Sequence, residues 1–173
     1  MAEKREKIYK QDVSWLAQEL WQRTVLPGMP ENLLIEAARE VVKTRFKENR
    51  HTVGAALRTK SGQVFTAVHL EASVGRMAIC AEAIALGMAA TAGDTEVDTI
   101  VAANRYGDIV SPCGMCRELI TDYAPEARVI IEVQMPGGHA AFIWIPMEKL
   151  LPVKYINSNS RRGLGWWGRA QTK

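Results

Sequence analysis

Three cysteines are the whole thiol complement of the chain, and they fall in two short motifs: Cys80-Ala81-Glu82 and Pro112-Cys113-Gly114-Met115-Cys116. Cys113 and Cys116 stand three residues apart, which in a first helical turn puts both sulfurs on one face. Cys80 and Glu82 are two apart, nearly opposite one another on a regular helix. Cys80 therefore has to lie at a helix boundary, from which Glu82 reaches the open side of an ion without binding it. If the three sulfurs converge, the fold must bring two helix starts together. Helix starts offer free N–H groups and a partial positive charge, and both favour thiolate over thiol. Pro112 suits such a start because its missing N–H would be unpaired there anyway. Three sulfur ligands and a position left for water is the pattern of a catalytic zinc ion. A closed structural site asks for a fourth thiol or histidine, and none of His51, His69 and His139 adjoins either motif in sequence.

The hydrophobic pattern places both motifs in an α/β chain. Residues 12–24 show helical spacing of Val13, Leu16, Leu20 and Trp21, with Asp12 or Ser14 as a cap, and Pro27, Gly28 and Pro30 end that run. A second helix is expected over 31–46. Strands are expected over 53–59 and 63–70, joined by the hairpin turn Lys60-Ser61-Gly62. An Ala-rich helix over 80–92, a buried strand over 97–103 and a helix over 113–123 follow. Two strands over 128–134 and 140–145 flank Pro136-Gly137-Gly138, and a helical turn over 147–151 ends the ordered pattern. A hairpin continued by helical crossovers implies a mixed sheet.

At 173 residues, with 47% apolar and 24% charged side chains, the chain suits one domain with a real core. No apolar run is long enough to cross a bilayer, and the charged start Met1-Ala2-Glu3-Lys4-Arg5 leads into no signal-peptide core. An odd, low cysteine count points to a reducing compartment, hence the cytoplasm. The net charge of +3, part of it in Arg161, Arg162, Arg169 and Lys173, fits a solvated tail better than a nucleic-acid surface.

A zinc ion with an open position brings bound water toward neutral pKa, and a neighbouring carboxylate can carry the proton to a ring nitrogen and then to a leaving amine. That is hydrolytic deamination of an amidine-like carbon. A three-cysteine site, a non-ligand Glu and Pro-Cys-x-x-Cys are the parts of the zinc deaminases. Val53-Gly54-Ala55-Ala56-Leu57, Cys80-Ala81-Glu82, Ser111-Pro112-Cys113-Gly114-Met115-Cys116-Arg117 and Leu150-Leu151-Pro152 together resemble the cytidine deaminase family. The similarity is to its small-nucleoside branch, which includes blasticidin S deaminases, and it covers about residues 33–155.

The resemblance implies a three-layer α/β/α fold with a five-stranded mixed sheet and a homo-oligomer, usually a tetramer, otherwise a dimer. It implies Cys80, Cys113 and Cys116 as ligands of Zn2+ and Glu82 as the proton shuttle. It implies a small-molecule substrate whose pyrimidine edge is held by Ala81 N–H and the backbone near Ser111. The domain division that follows is 1–30 as a helical extension, 31–155 as the zinc deaminase domain and 156–173 as a tail. Where the family carries Asn-x-Glu to read ribose, this chain has His69-Leu70-Glu71; where it often has phenylalanine beside the base, this chain has His51. Both histidines, with Glu71, fall on pocket positions and imply a more polar pocket that takes a modified or non-ribose substrate. Ala83 stands where many members place an arginine that offsets the thiolate charge, so helix dipoles and N–H···S bonds must compensate, with Arg117 as a further source of positive charge. Tyr155 falls where relatives close an aromatic ring over the substrate. Trp15, Trp21 and Trp166-Trp167 match no family position; the first two suit docking onto the domain or an oligomer interface.

Three other readings compete. A polynucleotide deaminase usually has His-x-Glu at the first ligand and a basic, aromatic groove, against which Cys80 and the modest charge argue. A zinc-stabilised module without turnover has no use for Glu82. A metal-free Cys-x-x-Cys redox protein is a further alternative.

Overall fold

The sheet is built outward from a central strand buried at six of its eight residues. In the structure, a computed structural model that describes residues 20–26, 28–135 and 138–155, six strands run in the order β2-β1-β3-β5-β6, with β4 paired to β3. They are β1 (Val53–Thr59), β2 (Val64–Val68), β3 (Val97–Asn104), β4 (Ile109–Val110), β5 (Arg128–Gln134) and β6 (Ala140–Pro146). Only β3 and β5 are parallel; the other pairs are antiparallel. The helices are α1 (Leu20–Arg23), α2 (Pro30–Arg45), α3 (Ala81–Thr91), α4 (Gly114–Tyr123) and α5 (Met147–Leu150). The sheet is mixed, as expected, and gains one strand the pattern did not mark: two residues of β4 are too few to show any alternation. The expected helix over 12–24 is described only as α1. Asp12, Ser14 and Trp15, the side chain of Trp21, Pro27, the Pro136-Gly137 turn and the 156–173 tail with Trp166-Trp167 lie outside the described residues.

Alternation along the strands sorts the core into two layers. Ala56, Val101, Ala103 and Ile130 meet Leu34, Ile35 and Ala38 of α2 on one face. Leu57, Ile100, Val129, Ile131, Ile143 and Ile145 meet Ala85, Leu86 and Ala89 of α3 and Cys116 and Ile120 of α4 on the other. The result is α2, sheet, then α3 and α4. Ala81, Ala85 and Ala89 repeat every four residues and are all fully buried, so small side chains line the seam by which α3 seats on the sheet. On the other face α2 approaches β1 so closely that a Cβ at Gly54 would lie 2.7 Å from the carbonyl oxygen of Ala38 and 2.8 Å from Val41. No side chain fits there, which explains the glycine in Val53-Gly54-Ala55 and fixes the end of β1 against the helix. Ahead of α2, Val25 N–H donates to Phe142 O at 2.7 Å and Thr24 bridges Ile143, so the chain entering the domain joins the β6 edge.

A charged network ties α2 to the sheet. Asp98 accepts from Arg58 Nη2 at 2.5 Å and Arg128 Nη2 at 2.8 Å, and both guanidinium groups reach the buried Glu31 at 3.3 Å. Burial alone would raise the Asp98 carboxyl, but hydrogen bonds from Arg58, Thr99 and Arg128 outweigh it and hold it below its ordinary value. A depressed folded value stabilises the protein above the unfolded carboxyl value of about 3.9 and loses that contribution as pH falls through the folded one. Asp98→Asn is therefore expected to cost about 1–3 kcal/mol at pH 7. In urea melts the gap to the parent should close as the pH is taken below about 4; an equal gap at low pH would show that the carboxylate charge is not what the network uses.

Candidate metal centre

Both helix starts expected from the cysteine motifs arrive at one place, near the carboxyl end of β3. Cys80 is the N-cap of α3 (φ −66°, ψ 149°) and Cys113 the N-cap of α4 (φ −66°, ψ 169°), both in extended backbone, while Cys116 lies in the first turn of α4. Cys80 thus sits outside the regular helix, and Ala81 and Glu82 open α3. Ala81 seats this start on Ala55 and Ala102 of the central strands. A β-bridge between Leu70 and Ile79 brings the chain into Cys80.

The three sulfurs lie within 4.8 Å of one another, and Cys80 Sγ and Cys113 Sγ are 3.5 Å apart. Sulfurs bound at about 2.3 Å to one tetrahedral zinc are roughly 3.8 Å apart, so the trio fits that ion. Cys116 is buried, Cys80 half-buried and Cys113 exposed, which gives the cluster a closed floor and an open side. Burial, and then the hydrogen bond to Cys113, pushes the Cys80 thiol up to about 11. Cys116 is raised by burial first and then by the charges of Glu82, Cys80 and Cys113. At Cys113 burial is outweighed by the N–H groups of Cys116 and Met115 and by the other two thiols, and its value is lowered. Helix-start N–H groups thus favour the Cys113 thiolate, while burial disfavours those of Cys80 and Cys116, a charge that a bound cation would compensate.

Glu82 is 6% exposed. Burial raises its carboxyl, against hydrogen bonds from its own N–H and from Cys116. Arg117 donates to Pro112 O (2.9 Å), Ser111 Oγ (3.1 Å) and Leu150 O (3.3 Å). Its role in this geometry is to brace the 111–113 segment against the end of α5. His51 and His69 meet at the mouth of β1: His51 Nδ1 lies 2.9 Å from His69 O. His69 Nε2 is 3.8 Å from Glu71 Oε2. Tyr155 is 76% exposed and stands next to Lys154, which grips Glu118 and Asp122 of α4. The Lys154 clamp had no signal in the sequence, since a lone lysine near a chain end is ordinarily solvated.

Residues 30–132 match the family described as the cytidine and deoxycytidylate deaminase zinc-binding region. The chain belongs to this deaminase family. Among its relatives is a blasticidin-S deaminase from Bacillus cereus, 46% identical over 133 residues, 72% of this chain and 91% of that protein. A cytidine deaminase from Halalkalibacterium halodurans is 34% identical over 125 residues, 72% of this chain and 92% of that one. The crystal structure of a cytidine deaminase from Burkholderia pseudomallei superposes with a TM-score of 0.60 at 29% identity, covering 73% of this chain and all of that one. The α/β/α layering expected from the motifs is therefore the family fold. This deaminase is a zinc-dependent hydrolase, and its three-cysteine cluster could hold the ion. Among the described residues no helix is long and apolar enough to cross a membrane.

Proposed function

We propose that the chain hydrolyses the amino group from a cytosine nucleoside or a related aminated heterocycle, releasing ammonia, with Glu82 carrying the protons. The observation behind this reading is a buried carboxyl at the second residue of α3, hydrogen-bonded by Cys116, beside three convergent sulfurs. Zinc held by Cys80, Cys113 and Cys116 would supply a water acidified toward neutrality. Glu82 accepts a proton from the attacking water, passes it to the ring nitrogen next to the amino-bearing carbon, and protonates the departing amine. A carboxyl whose burial favours the proton-carrying form suits a group that must hold a proton between steps. Ala81 N–H and the Ser111 segment hold the pyrimidine edge, His51, His69 and Glu71 line the far part of the substrate, and Tyr155 covers it.

The relatives named blasticidin-S deaminase and cytidine deaminase support a cytosine-bearing substrate. The higher identity to the former supports a nucleoside antibiotic over plain cytidine. Exposed Leu70, Val74, Met77, Ile79 and Met115 support a homo-oligomer, tetramer or dimer, that covers them. The odd, low cysteine count supports the cytoplasm. Ammonia release from cytidine, deoxycytidine and blasticidin S, with Glu82→Gln as the blank, tests the reading. We expect blasticidin S to be turned over with the highest kcat/KM. Cytidine turned over as efficiently would remove the preference for a modified substrate, and no release from any compound would remove the reading altogether.

A further inference from the structure

The ring nitrogens of His51 and His69 can be assigned from their partners. His69 Nδ1 lies 3.0 Å from the backbone nitrogen of Thr52 and 3.2 Å from that of Val53. Both partners only donate, so Nδ1 offers a lone pair and the ring proton sits on Nε2. His51 Nδ1 lies 2.9 Å from the carbonyl oxygen of His69. A carbonyl only accepts, so this Nδ1 carries the proton, and Nε2 of the uncharged ring is the acceptor. The two imidazoles hold opposite tautomers, each fixed by main chain rather than by a movable side chain. The 3.8 Å approach of His69 Nε2 to Glu71 Oε2 is then a fixed donor facing a carboxylate, not an ion pair. The His69 side chain is 13% exposed and that of Glu71 45%, so the donor is enclosed and the carboxylate reaches the open side. This cluster lies at the start of β1 and just past the end of β2, beside the Leu70–Ile79 bridge that leads into Cys80.

The geometry points to His51 and His69 as a tautomer-locked pair that determines specificity: His69 Nε2 presents only a donor, beside Glu71, and His51 Nε2 presents only an acceptor. The matching ligand is an aminopyrimidine whose ring substituent offers an acceptor to His69 and a donor to His51. A side-chain amide at position 69 could turn either end toward the substrate; an imidazole with Nδ1 engaged cannot. The inference rests on the deaminase reading given above and adds which chemistry the far end of the substrate must carry.

Long-range proton–nitrogen NMR correlation of the zinc-loaded protein tests it, with His51→Phe and His69→Leu used for assignment. The free protein should show the Nε2–H tautomer at His69 and the Nδ1–H tautomer at His51. In the Glu82→Gln background, cytidine or blasticidin S, whichever the parent enzyme deaminates, should shift the Nε2 signals of both rings. With the same compound, His51→Phe should raise KM roughly tenfold and leave kcat within about threefold, as expected for one lost hydrogen bond away from the reacting carbon. The reverse tautomer at either ring, or Nε2 signals that bound substrate leaves unmoved, would overturn the inference. Turnover of neither compound would count against the deaminase reading instead, and the tautomers, read in the free protein, would still decide the assignment.

Discussion

Glu82→Gln is expected to reduce kcat/KM by about a thousandfold or more while the protein keeps its metal and its fold. Two proton transfers pass through this one carboxyl, and general acid–base catalysis contributes about 10²–10⁴ per positioned group. Glutamine preserves shape and hydrogen-bonding capacity but cannot take a proton from water. The stability change should be small or favourable, because the substitution removes an ionisable group that is 6% exposed and whose ionisation burial disfavours. Metal content, thermal midpoint and ammonia release measured on the same preparation separate the possibilities. A variant that retains more than about a tenth of the parent rate would remove Glu82 from the chemistry. One that loses its zinc would make Glu82 part of the metal's support instead.

Stripping the metal should destabilise the fold as well as abolish activity, because the sulfurs clamp two separate helices. Cys80 caps α3, Cys113 and Cys116 open α4, and 32 residues lie between Cys80 and Cys113 in the chain. An ion that binds only the folded state contributes about 4 kcal/mol when free zinc is a thousand times its Kd. For a chain of this size that corresponds to roughly 8–16 °C in thermal midpoint. Calorimetry before and after chelation, with Cys116→Ser as the form that cannot reload, should show this drop and its recovery on adding zinc to the parent alone. An unchanged midpoint after complete metal removal would mean that α3 and α4 are held together without the ion.

The site was legible in the sequence because its chemistry is local. Cys-x-x-Cys at a helix start and Cys-Ala-Glu across a helix boundary each admit few geometries, and the structure realises them with Cys80 and Cys113 as N-caps. The strands were legible as short apolar runs bounded by turn signals, and 53–59 and 128–134 are indeed buried along most of their length rather than on alternate residues. Long-range partners were not. The partners of Arg117 had no signal in the pattern: it binds the carbonyls of Pro112 and Leu150, the latter on α5 and 33 residues away. His69 read as a pocket residue, and its Nδ1 is engaged by the backbone of Thr52 and Val53 across the hairpin. No periodicity encodes such contacts, because they depend on how two segments meet and not on the pattern within either. Strand β4 was missed because two residues carry no pattern at all.

Zinc-edge X-ray absorption on the purified protein reads the ligand set of Cys80, Cys113 and Cys116 itself. One zinc per chain is expected, with three sulfur neighbours at about 2.3 Å and one oxygen or nitrogen neighbour at about 2.0 Å. Four sulfurs, two sulfurs, or protein without zinc would contradict it.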